Sequence, residues 1–298
     1  MPLVHGLAPI LATPFASDGS LDLPSLRRVV EFNLASGVDG LAVSGMASET
    51  FALTAEERAR VLREVVDVAA GAVPVVAGVN ATSTVTAVEQ ARAAAEDGAA
   101  ALMVLPPYMV KPTPAQLVAF YEEVAAATPC EVMVQDAPGV TGVAMTPATL
   151  ARLAEVPGVT SVKVEAPPTP PKVTAVVEAA GGEGFAVLGG QNAQFCLDEY
   201  ARGAIGTMPA CEFPDLLRPV LDDWAAGERA RAREGFARLL PLILHGLQQG
   251  WAWAIHKEVL VARKLIADAT VRSPARPLDA PTRTALREVL APLGIAVG

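Results

Sequence analysis

The sequence predicts an α/β protein, a (β/α)8 TIM barrel followed by a C-terminal helical extension. Short runs of β-branched and small apolar residues alternate with longer amphipathic stretches at intervals of roughly 25 to 30 residues, as βα units require. Eight such runs occur before residue 210, and eight units close a barrel. The length of 298 residues suits this fold, because α/β barrels of that size commonly form one domain.

The predicted strands are rich in Val, Ala and Leu and are bounded by Gly, Pro or charged residues. Apolar runs of this kind are typical of parallel strands that are buried on both faces. They are Gly6 to Pro14, Gly40 to Gly45, Val73 to Val79, Ala101 to Pro106, Glu131 to Asp136, Thr160 to Glu165, Ala186 to Gly189 and Ala204 to Met208.

Capping residues mark the starts of helices between these strands. Thr54 is followed three residues later by Glu57, which is the pattern of a capping box. Thr113 and Thr146 are each followed by a proline, which suits the first helical position because the N–H that proline lacks has no partner there. These signals predict helices that return the chain from one strand to the next.

After the eighth strand the pattern is helical only, from about Pro214 to the end, with breaks at Gly227 and near Gly246. This change of pattern predicts two parts of the chain. We assign residues 1–223 to the barrel and residues 224–298 to the C-terminal helical extension.

Composition and charge limit the classes of partner. The net charge is -9 and no basic cluster occurs, which excludes nucleic acid, since its binding needs Lys and Arg against phosphates. Hydrophobic residues make up 52% of the chain, but no uninterrupted apolar stretch is long enough to span a bilayer. The N-terminal residues lack a basic region followed by an apolar core, so we expect a cytoplasmic protein without a membrane partner.

Cysteine and histidine patterns do not indicate a cofactor. The three cysteines, Cys130, Cys196 and Cys211, are isolated, and reduced structural thiols are expected. The three histidines form no His-Glu-x-x-His pattern that would hold a catalytic zinc. No metal or other cofactor is expected, and only a magnesium site built from carboxylates alone stays open.

Lys163 is the most informative residue, because it lies inside the apolar run from Thr160 to Ala166. In a strand, Lys163 and Glu165 point to the same face, which then carries an amine beside a carboxylate. Burial disfavours the charged form of lysine and so favours the free amine that can attack a carbonyl carbon. Alternatively, Lys163 ends a strand and forms a purely structural ion pair with Glu165.

Polar residues at the ends of apolar runs are the other candidates, because barrel active sites lie at the carboxyl ends of the strands. Gly45 and the small residues after it fit a turn whose N–H groups approach a substrate carboxylate, although Ser48 also suits an ordinary helix cap. Gly189, the first of a Gly-Gly pair, offers a weaker anion cradle. Tyr108 follows the fourth strand, and Gln135 ends the fifth.

Several motifs along nearly the whole chain point to one family. They are the opening run Gly6 to Phe15, the turn Gly45 to Glu49, Leu53-Thr54-x-x-Glu57-Arg58, Pro107-Tyr108, Pro138 to Gly142, and Lys163. Together they resemble the dihydrodipicolinate synthase and N-acetylneuraminate lyase superfamily of class I, Schiff-base-forming 2-oxo acid aldolases and dehydratases. The resemblance implies that Lys163 is the Schiff-base lysine. It also implies that the backbone carbonyl of Ile205, on the eighth strand, lies near the substrate.

Four departures from the family pattern limit the implied activity. Gly-Thr-Thr-Gly-Glu reads Gly-Met-Ala-Ser-Glu here, so both threonine hydroxyls are missing. Gln135 replaces a proton-relaying tyrosine, and an amide cannot titrate near neutral pH. Met109 replaces the tyrosine that the synthase contributes across a subunit interface, and Val140 replaces an arginine for a distal carboxylate. Dihydrodipicolinate synthesis and sialic acid cleavage are therefore not expected.

Three further motifs narrow the resemblance. They are Ser48-Glu49, Met133 to Pro138, and Lys163-Val164-Glu165. These motifs are similar to those of the L-2-keto-3-deoxyarabonate dehydratase branch. The resemblance therefore implies a small-molecule 2-oxo acid as the substrate, and most closely a 2-keto-3-deoxy sugar acid.

The expected mechanism starts with attack of Lys163 on C2, after which the iminium makes the C3 protons acidic. Glu165 is the expected catalytic partner, which removes a C3 proton and assists the departure of hydroxide from C4. The C1 carboxylate is expected at Ser48 and the N–H groups of the turn. The expected substrate-binding residues are Ala47, Ser48, Tyr108, Gln135, Gly189 and Ile205.

Two other functions stay open on the sequence alone. An aldolase would use the same iminium but break the C3–C4 bond and release pyruvate. A barrel that binds a 2-oxo acid without turnover would also agree with the loss of the tyrosine and the two threonines. The resemblance further implies a homotetramer or homodimer.

Overall fold

The computed structural model of the chain describes residues 2–180 and 184–295. Within these ranges eight strands form a single sheet. They are β1 (Gly6–Leu7), β2 (Leu41–Val43), β3 (Val75–Val79), β4 (Ala101–Val104), β5 (Glu131–Asp136), β6 (Val159–Val164), β7 (Ala186–Gly189) and β8 (Gly206–Thr207).

The strands are parallel and lie in the order β1-β8-β7-β6-β5-β4-β3-β2. A parallel bridge between Ile10 and Ala42 joins the two ends of this order. There the amide of Leu11 donates to the carbonyl of Ala42 at 2.8 Å, and the amide of Ala42 donates to the carbonyl of Pro9 at 2.9 Å. The sheet therefore curls into a TIM-barrel-like fold, as predicted.

The first and last strands are shorter than predicted, whereas β5 and β7 have the predicted bounds. The sequence favoured a first strand up to Pro14, but regular pairing ends at Leu7 and resumes only as the isolated bridge at Ile10. Pro9 lies in that gap, and Pro209 follows β8. Because proline has no N–H to donate to a ladder, both strands end early.

Helices follow the strands and surround the sheet. Three of the predicted helix starts, at Thr54, Thr113 and Thr146, are confirmed as N-caps whose side chains accept a backbone N–H. The helices are α1 (Leu23–Ala35), α2 (Ala55–Ala69), α3 (Thr84–Glu96), α4 (Pro114–Ala126), α5 (Pro138–Thr141), α6 (Pro147–Ala154), α7 (Thr169–Ala180), α8 (Cys196–Tyr200), α9 (Pro214–Ala225), α10 (Arg229–His245), α11 (Ala252–Ala262) and α12 (Ala280–Leu290).

The helices after β8 return to the barrel. The predicted breaks at Gly227 and near Gly246 separate α9, α10 and α11, and the boundary expected after residue 223 falls inside α9. In α11, the indole Nε1 of Trp253 donates to the carbonyl of Met46 at 2.6 Å. This bond holds α11 against the carboxyl end of β2. None of the helices in the described residues is both long and apolar enough to cross a bilayer.

Apolar side chains fill the interior of the barrel below its carboxyl end. A cluster of Ala, Val, Ile, Leu and Met side chains points inward, and its larger members are Ile10, Met103, Met133, Leu188 and Met208. A second and larger cluster lies between the strands and the surrounding helices. The barrel is therefore a packed core, and polar chemistry is confined to its ends.

Candidate active site

The carboxyl ends of the strands enclose a cavity of about 240 Å³. β6 contributes Lys163, with Glu165 directly after the strand, and the turn after β2 and helix α11 form the opposite wall. Among the described residues, the titratable side chains that line this cavity are Lys163, Glu165 and His256. The position agrees with the rule that barrel active sites lie at this end.

Lys163 and Glu165 form a buried ion pair at the floor of the cavity. Their side chains are 4% and 8% exposed, and Lys163 Nζ lies 3.2 Å from Glu165 Oε1. The predicted placement of both side chains on one face of β6 is therefore present. A buried ion pair seldom adds net stability, so its presence beside a cavity indicates a chemical role.

Two donors besides Lys163 bond to the carboxylate of Glu165, and a third bonds to its backbone carbonyl. The amide Nε2 of Gln135, on β5, donates to Oε2 at 2.7 Å. The backbone N–H of Gln191 donates to Oε1 at 3.2 Å, and the Gln191 side chain donates to the Glu165 carbonyl at 2.7 Å. These bonds fix the orientation of Glu165 and present its oxygens as acceptors, which a general base requires.

The turn after β7, which contains Gln191, has an unusual backbone conformation. Gln191, Asn192 and Ala193 have φ values of 47°, 54° and 62°, in the left-handed region that residues with side chains rarely adopt. Such conformations persist where the surrounding structure enforces them, and they cluster at functional sites. Asn192 anchors this turn, since its Oδ1 accepts the N–H of Ala210 at 2.9 Å and its Nδ2 donates to the Ile243 carbonyl at 3.1 Å.

The turn after β2 forms the wall that was expected to bind a carboxylate. It is a short 3₁₀ helix, Met46–Ser48, and both Met46 and Ala47 line the cavity. Ser48 does not line it. Its hydroxyl donates to the Leu11 carbonyl at 2.6 Å and its N–H donates to the Gly45 carbonyl at 3.1 Å, so the expected contacts from Ser48 are wrong. The first N–H groups of such a helix, on Met46 and Ala47, have no partner within it.

The prediction for Ile205 is wrong, because this residue lies at the opposite end of the barrel. It precedes β8, and its carbonyl accepts the N–H of Gly6 at the start of β1 at 2.9 Å. Ile205 also borders an opening of about 780 Å³ at that end, near His5. This opening is larger than the upper cavity, but the described residues that line it include no amine beside a carboxylate. Directly after β8, the residues that line the upper cavity are Met208, Pro209 and Ala210.

The prediction that Gly189 cradles an anion is also wrong. A Cβ atom added at Gly189 would lie 1.9 Å from Oε2 of Glu199, so the glycine makes room for that carboxyl group. Glu199 is buried, and burial raises its pKa to about 7, while Thr169 Oγ1 donates to its Oε1 at 2.5 Å. An acidic side chain against this backbone does not attract an anion. Gly189 serves close packing beneath the site.

A family model that describes the "Dihydrodipicolinate synthetase family" matches residues 3–292, which is nearly the whole chain. The chain belongs to the dihydrodipicolinate synthetase family. Members of this family are lyases, and class I Schiff-base chemistry is general among them. The lysine in the cavity therefore lies in a fold that performs such chemistry.

Relatives in the dihydrodipicolinate synthetase family have more than one activity. The 4-hydroxy-tetrahydrodipicolinate synthase of Methylococcus capsulatus is 35% identical over 98% of this chain and 100% of its own length. The L-2-keto-3-deoxyarabonate dehydratase of Azospirillum brasilense is 34% identical over 93% of this chain and 88% of its own length. The crystal structure of dihydrodipicolinate synthase from Rhodopseudomonas palustris has a TM-score of 0.91 and 29% identity, with 98% of both chains covered.

Within this family fold, neither Gln135 nor Tyr108 is among the described residues that line the cavity, so the contact of each with substrate stays a prediction. Gln135 is 1% exposed and contacts Glu165, and its own Oε1 has no hydrogen-bond partner in the described parts of the chain. Tyr108 lies half-buried in the loop after β4, where its carbonyl accepts Lys111 Nζ at 2.5 Å.

The cavity also contains residues that were not predicted from the sequence. Gln191, Trp253 and His256 all line the cavity. Gln191 follows the Gly-Gly pair that ends β7, so its position at a strand end was a usable signal. Trp253 and His256 lie on α11, far along the chain from the strands, and only tertiary packing brings them to the site.

Gly190 has no side chain, which leaves room for the side chain of Glu165. We expect a Gly190→Ala variant to be less stable by roughly 1–3 kcal/mol, the usual cost of overpacking. A Cβ atom there would lie 2.3 Å from Glu165 Cγ. The φ of Gly190 is -132°, so the effect is steric and not a matter of glycine's backbone freedom. Urea unfolding of the variant measures the loss. Gly139→Ala is the control, because no atom of the described residues lies within 4 Å of its added Cβ. Equal stability of the two variants would contradict the prediction.

Proposed function

We propose that this chain is a hydro-lyase that forms a Schiff base between Lys163 and a 2-keto-3-deoxy sugar acid, such as L-2-keto-3-deoxyarabonate, and then eliminates water. The observation that carries the proposal is the buried pair of Lys163 and Glu165, with Gln135 bonded to Glu165. A primary amine in an enclosed cavity is the group that condenses with a ketone. The carboxylate 3.2 Å away is placed to receive protons from the amine and from the substrate.

Gln135 favours dehydration over the synthase reaction. A tyrosine at this position transfers protons in the synthase, whereas the amide of Gln135 can only donate and accept hydrogen bonds. In this site the amide is committed to Glu165 at 2.7 Å. Proton transfer at C3 then falls to Glu165, and a β-elimination needs such a base beside the iminium.

The Lys163 amine adds to C2 and loses water, which gives an iminium. Glu165 removes a proton from C3, and the electron pair passes through C2 to nitrogen, which gives an enamine. The enamine expels the C4 hydroxyl as water once that oxygen receives a proton. Hydrolysis of the conjugated iminium and tautomerisation then release a dehydrated 2-oxo acid, which is 2-oxoglutarate semialdehyde for a five-carbon substrate.

The substrate carboxylate is assigned to the turn after β2. The N–H groups of Met46 and Ala47 point from the start of the 3₁₀ helix, and both residues line the cavity. Trp253 holds this turn from α11 through its bond to the Met46 carbonyl. Gln191 and Tyr108 are assigned to the hydroxyls of the sugar acid.

We also propose a homo-oligomer in which exposed Met109, Val110 and Val140 contact another subunit, because such apolar side chains otherwise face water.

Product analysis tests this function. The chain is incubated with L-2-keto-3-deoxyarabonate and the products are identified by NMR and mass spectrometry. Loss of one water supports the hydro-lyase. Release of pyruvate, with cleavage of C3–C4, would instead establish an aldolase. An adduct on Lys163 without any product would establish a binding protein.

We expect a Glu165→Gln variant to keep the Lys163 adduct and to lose roughly 10²- to 10⁴-fold in turnover, since general base catalysis contributes that much. The amide can still accept the bond from Gln135 but cannot take the C3 proton. Exchange of C3 protons with deuterated water, followed by NMR, measures that step directly. The control is Glu234→Gln, which removes a carboxylate that is 69% exposed on α10. Undiminished C3 exchange in the Glu165 variant would contradict the assignment.

A further inference from the structure

The proposed steps do not use a second titratable pair, His256 and Glu212, of which His256 lines the cavity. His256, on α11, lines the cavity and is 4% exposed. Its Nδ1 lies 2.7 Å from Oε1 of Glu212, a fully buried carboxylate on the segment after β8. A carboxylate only accepts, so Nδ1 carries the proton of this bond. The other ring nitrogen, Nε2, is then the one available to the cavity.

The orientation of the imidazole is fixed from both sides. A Cβ atom added at Gly246 would lie 2.7 Å from His256 Cε1 and 3.3 Å from its Nδ1, so the backbone after α10 packs against the ring edge. Glu212 also restrains the ring through its bond to Nδ1. The second oxygen of Glu212 has no hydrogen-bond partner in the described residues. A histidine held by a buried carboxylate is the arrangement that orients an imidazole for proton transfer.

The proposed elimination needs two proton transfers, and Glu165 accounts for one of them. The base takes a proton from C3, and a different proton must reach the oxygen that leaves C4. Lys163 is committed to the iminium, and Gln135 does not titrate. Of the titratable side chains that line the cavity in residues 2–180 and 184–295, His256 is the one left.

We propose that His256, oriented by Glu212, is the acid that protonates the departing C4 hydroxyl. This inference rests on the proposed function. In the step, the C4–O bond breaks, its electron pair leaves with oxygen, and the proton on Nε2 moves to that oxygen to give water. The enamine pair forms the C3–C4 double bond and restores the iminium. His256 ends neutral and Glu165 ends protonated, so one proton passes back through solvent to reset the site.

The charges around the imidazole favour this role. Glu212 faces it from the segment after β8 and stabilises the imidazolium. Lys163 and Glu165 face it across the cavity from β6 as an ion pair. Gly246, which packs against it from the segment after α10, carries no charge. On α11 itself, the next residue, Lys257, is paired with Glu49.

A His256→Gln variant separates elimination from the earlier steps. We expect it to form the borohydride-trapped adduct on Lys163 and to exchange C3 protons within about threefold of wild type, while water loss falls by about 100-fold or more. Glu212→Gln provides a second variant, in which the imidazole loses the carboxylate that orients it, so water loss should fall while trapping and C3 exchange stay within about threefold of wild type. His5→Gln, at the other end of the barrel, is the matched control and should leave all three readouts unchanged.

Other outcomes would overturn the inference. Water loss by the His256 variant within threefold of wild type would remove His256 from the reaction and leave the hydro-lyase intact. If a His256 variant melts at the wild-type temperature and yet loses trapping, exchange and elimination equally, that result would assign His256 a binding role instead. If the wild-type protein forms no borohydride-trapped adduct with any 2-oxo acid, the proposed function and this inference are both wrong.

Discussion

A Lys163→Arg variant is expected to form no borohydride-reducible adduct with any 2-oxo acid and to lose on the order of 10⁴-fold or more in turnover, as loss of a covalent nucleophile does. The guanidinium keeps the positive charge beside Glu165, 3.2 Å from the amine in the native chain, but it stays protonated and cannot attack C2. Charge is therefore retained while nucleophilicity is removed. Intact mass after reduction, with pyruvate and with 2-keto-3-deoxypentonates, measures the adduct.

The small number of lysines makes the mapping of that adduct decisive. The chain has five, at positions 111, 163, 172, 257 and 264. Lys172 is 17% exposed and lies 3.2 Å from Asp136, and Lys257 is paired with Glu49, so neither faces the cavity that holds Lys163. Lys264→Met removes an exposed lysine and should trap as wild type does. An adduct that persists in Lys163→Arg, on any other lysine, would refute the assignment of the nucleophile.

Local periodicity was enough to predict the centre of this site. The alternation of side chains along one strand placed Lys163 and Glu165 on the same face, and the structure has them 3.2 Å apart. Gln135 lies opposite Lys163 in the register of β5 and β6, so the end of one apolar run indicated the neighbour of the next. The capping box at Thr54 and Glu57 is likewise a short-range signal that the structure confirms.

Predictions that depended on register or on tertiary contacts failed or were not made. β8 has only two residues, so an error of three positions, from Met208 to Ile205, crosses roughly 10 Å to the other end of the barrel. Ser48 has the right position, but its hydroxyl turns to the Leu11 carbonyl, 37 residues away in sequence. His256 and Glu212 are separated by 44 residues, and no local pattern joins them.

The second large expected effect concerns stability. A Lys257→Met variant should lose about 3–5 kcal/mol in its free energy of unfolding, the cost of removing one partner of a buried ion pair. Lys257 Nζ lies 2.5 Å from Glu49 Oε1, and the two side chains are 1% and 0% exposed. The same amine donates to the Thr270 carbonyl at 2.7 Å and lies 4.0 Å from the centre of the Phe15 ring. Urea unfolding measures the loss.

A double-mutant cycle separates the unpaired charge from lost packing. Adding Glu49→Gln to Lys257→Met removes the buried carboxylate, so we expect the double variant to recover a large part of the loss. Lys264→Met is the control for the substitution itself, since that lysine is exposed, and it should stay within about 0.5 kcal/mol of wild type. A double variant no more stable than Lys257→Met would mean that packing around the aliphatic stem, and not the charge of Glu49, dominates.

A second measurement on Lys257 is the pH dependence of the free energy of unfolding that Lys257→Met loses. Burial lowers its pKa from 10.5 to about 8, against the attraction of Glu49. The folded chain therefore releases this proton at lower pH than the unfolded chain, and unfolding takes up a proton between pH 8 and 10.5. Proton uptake on unfolding means that this lysine makes the wild-type protein more stable as the pH rises through that window. Lys257→Met lacks this group, so the free energy of unfolding of the wild type should exceed that of the variant by more at about pH 10 than at pH 8. A difference that narrows over this range would contradict a pKa of Lys257 that burial lowers.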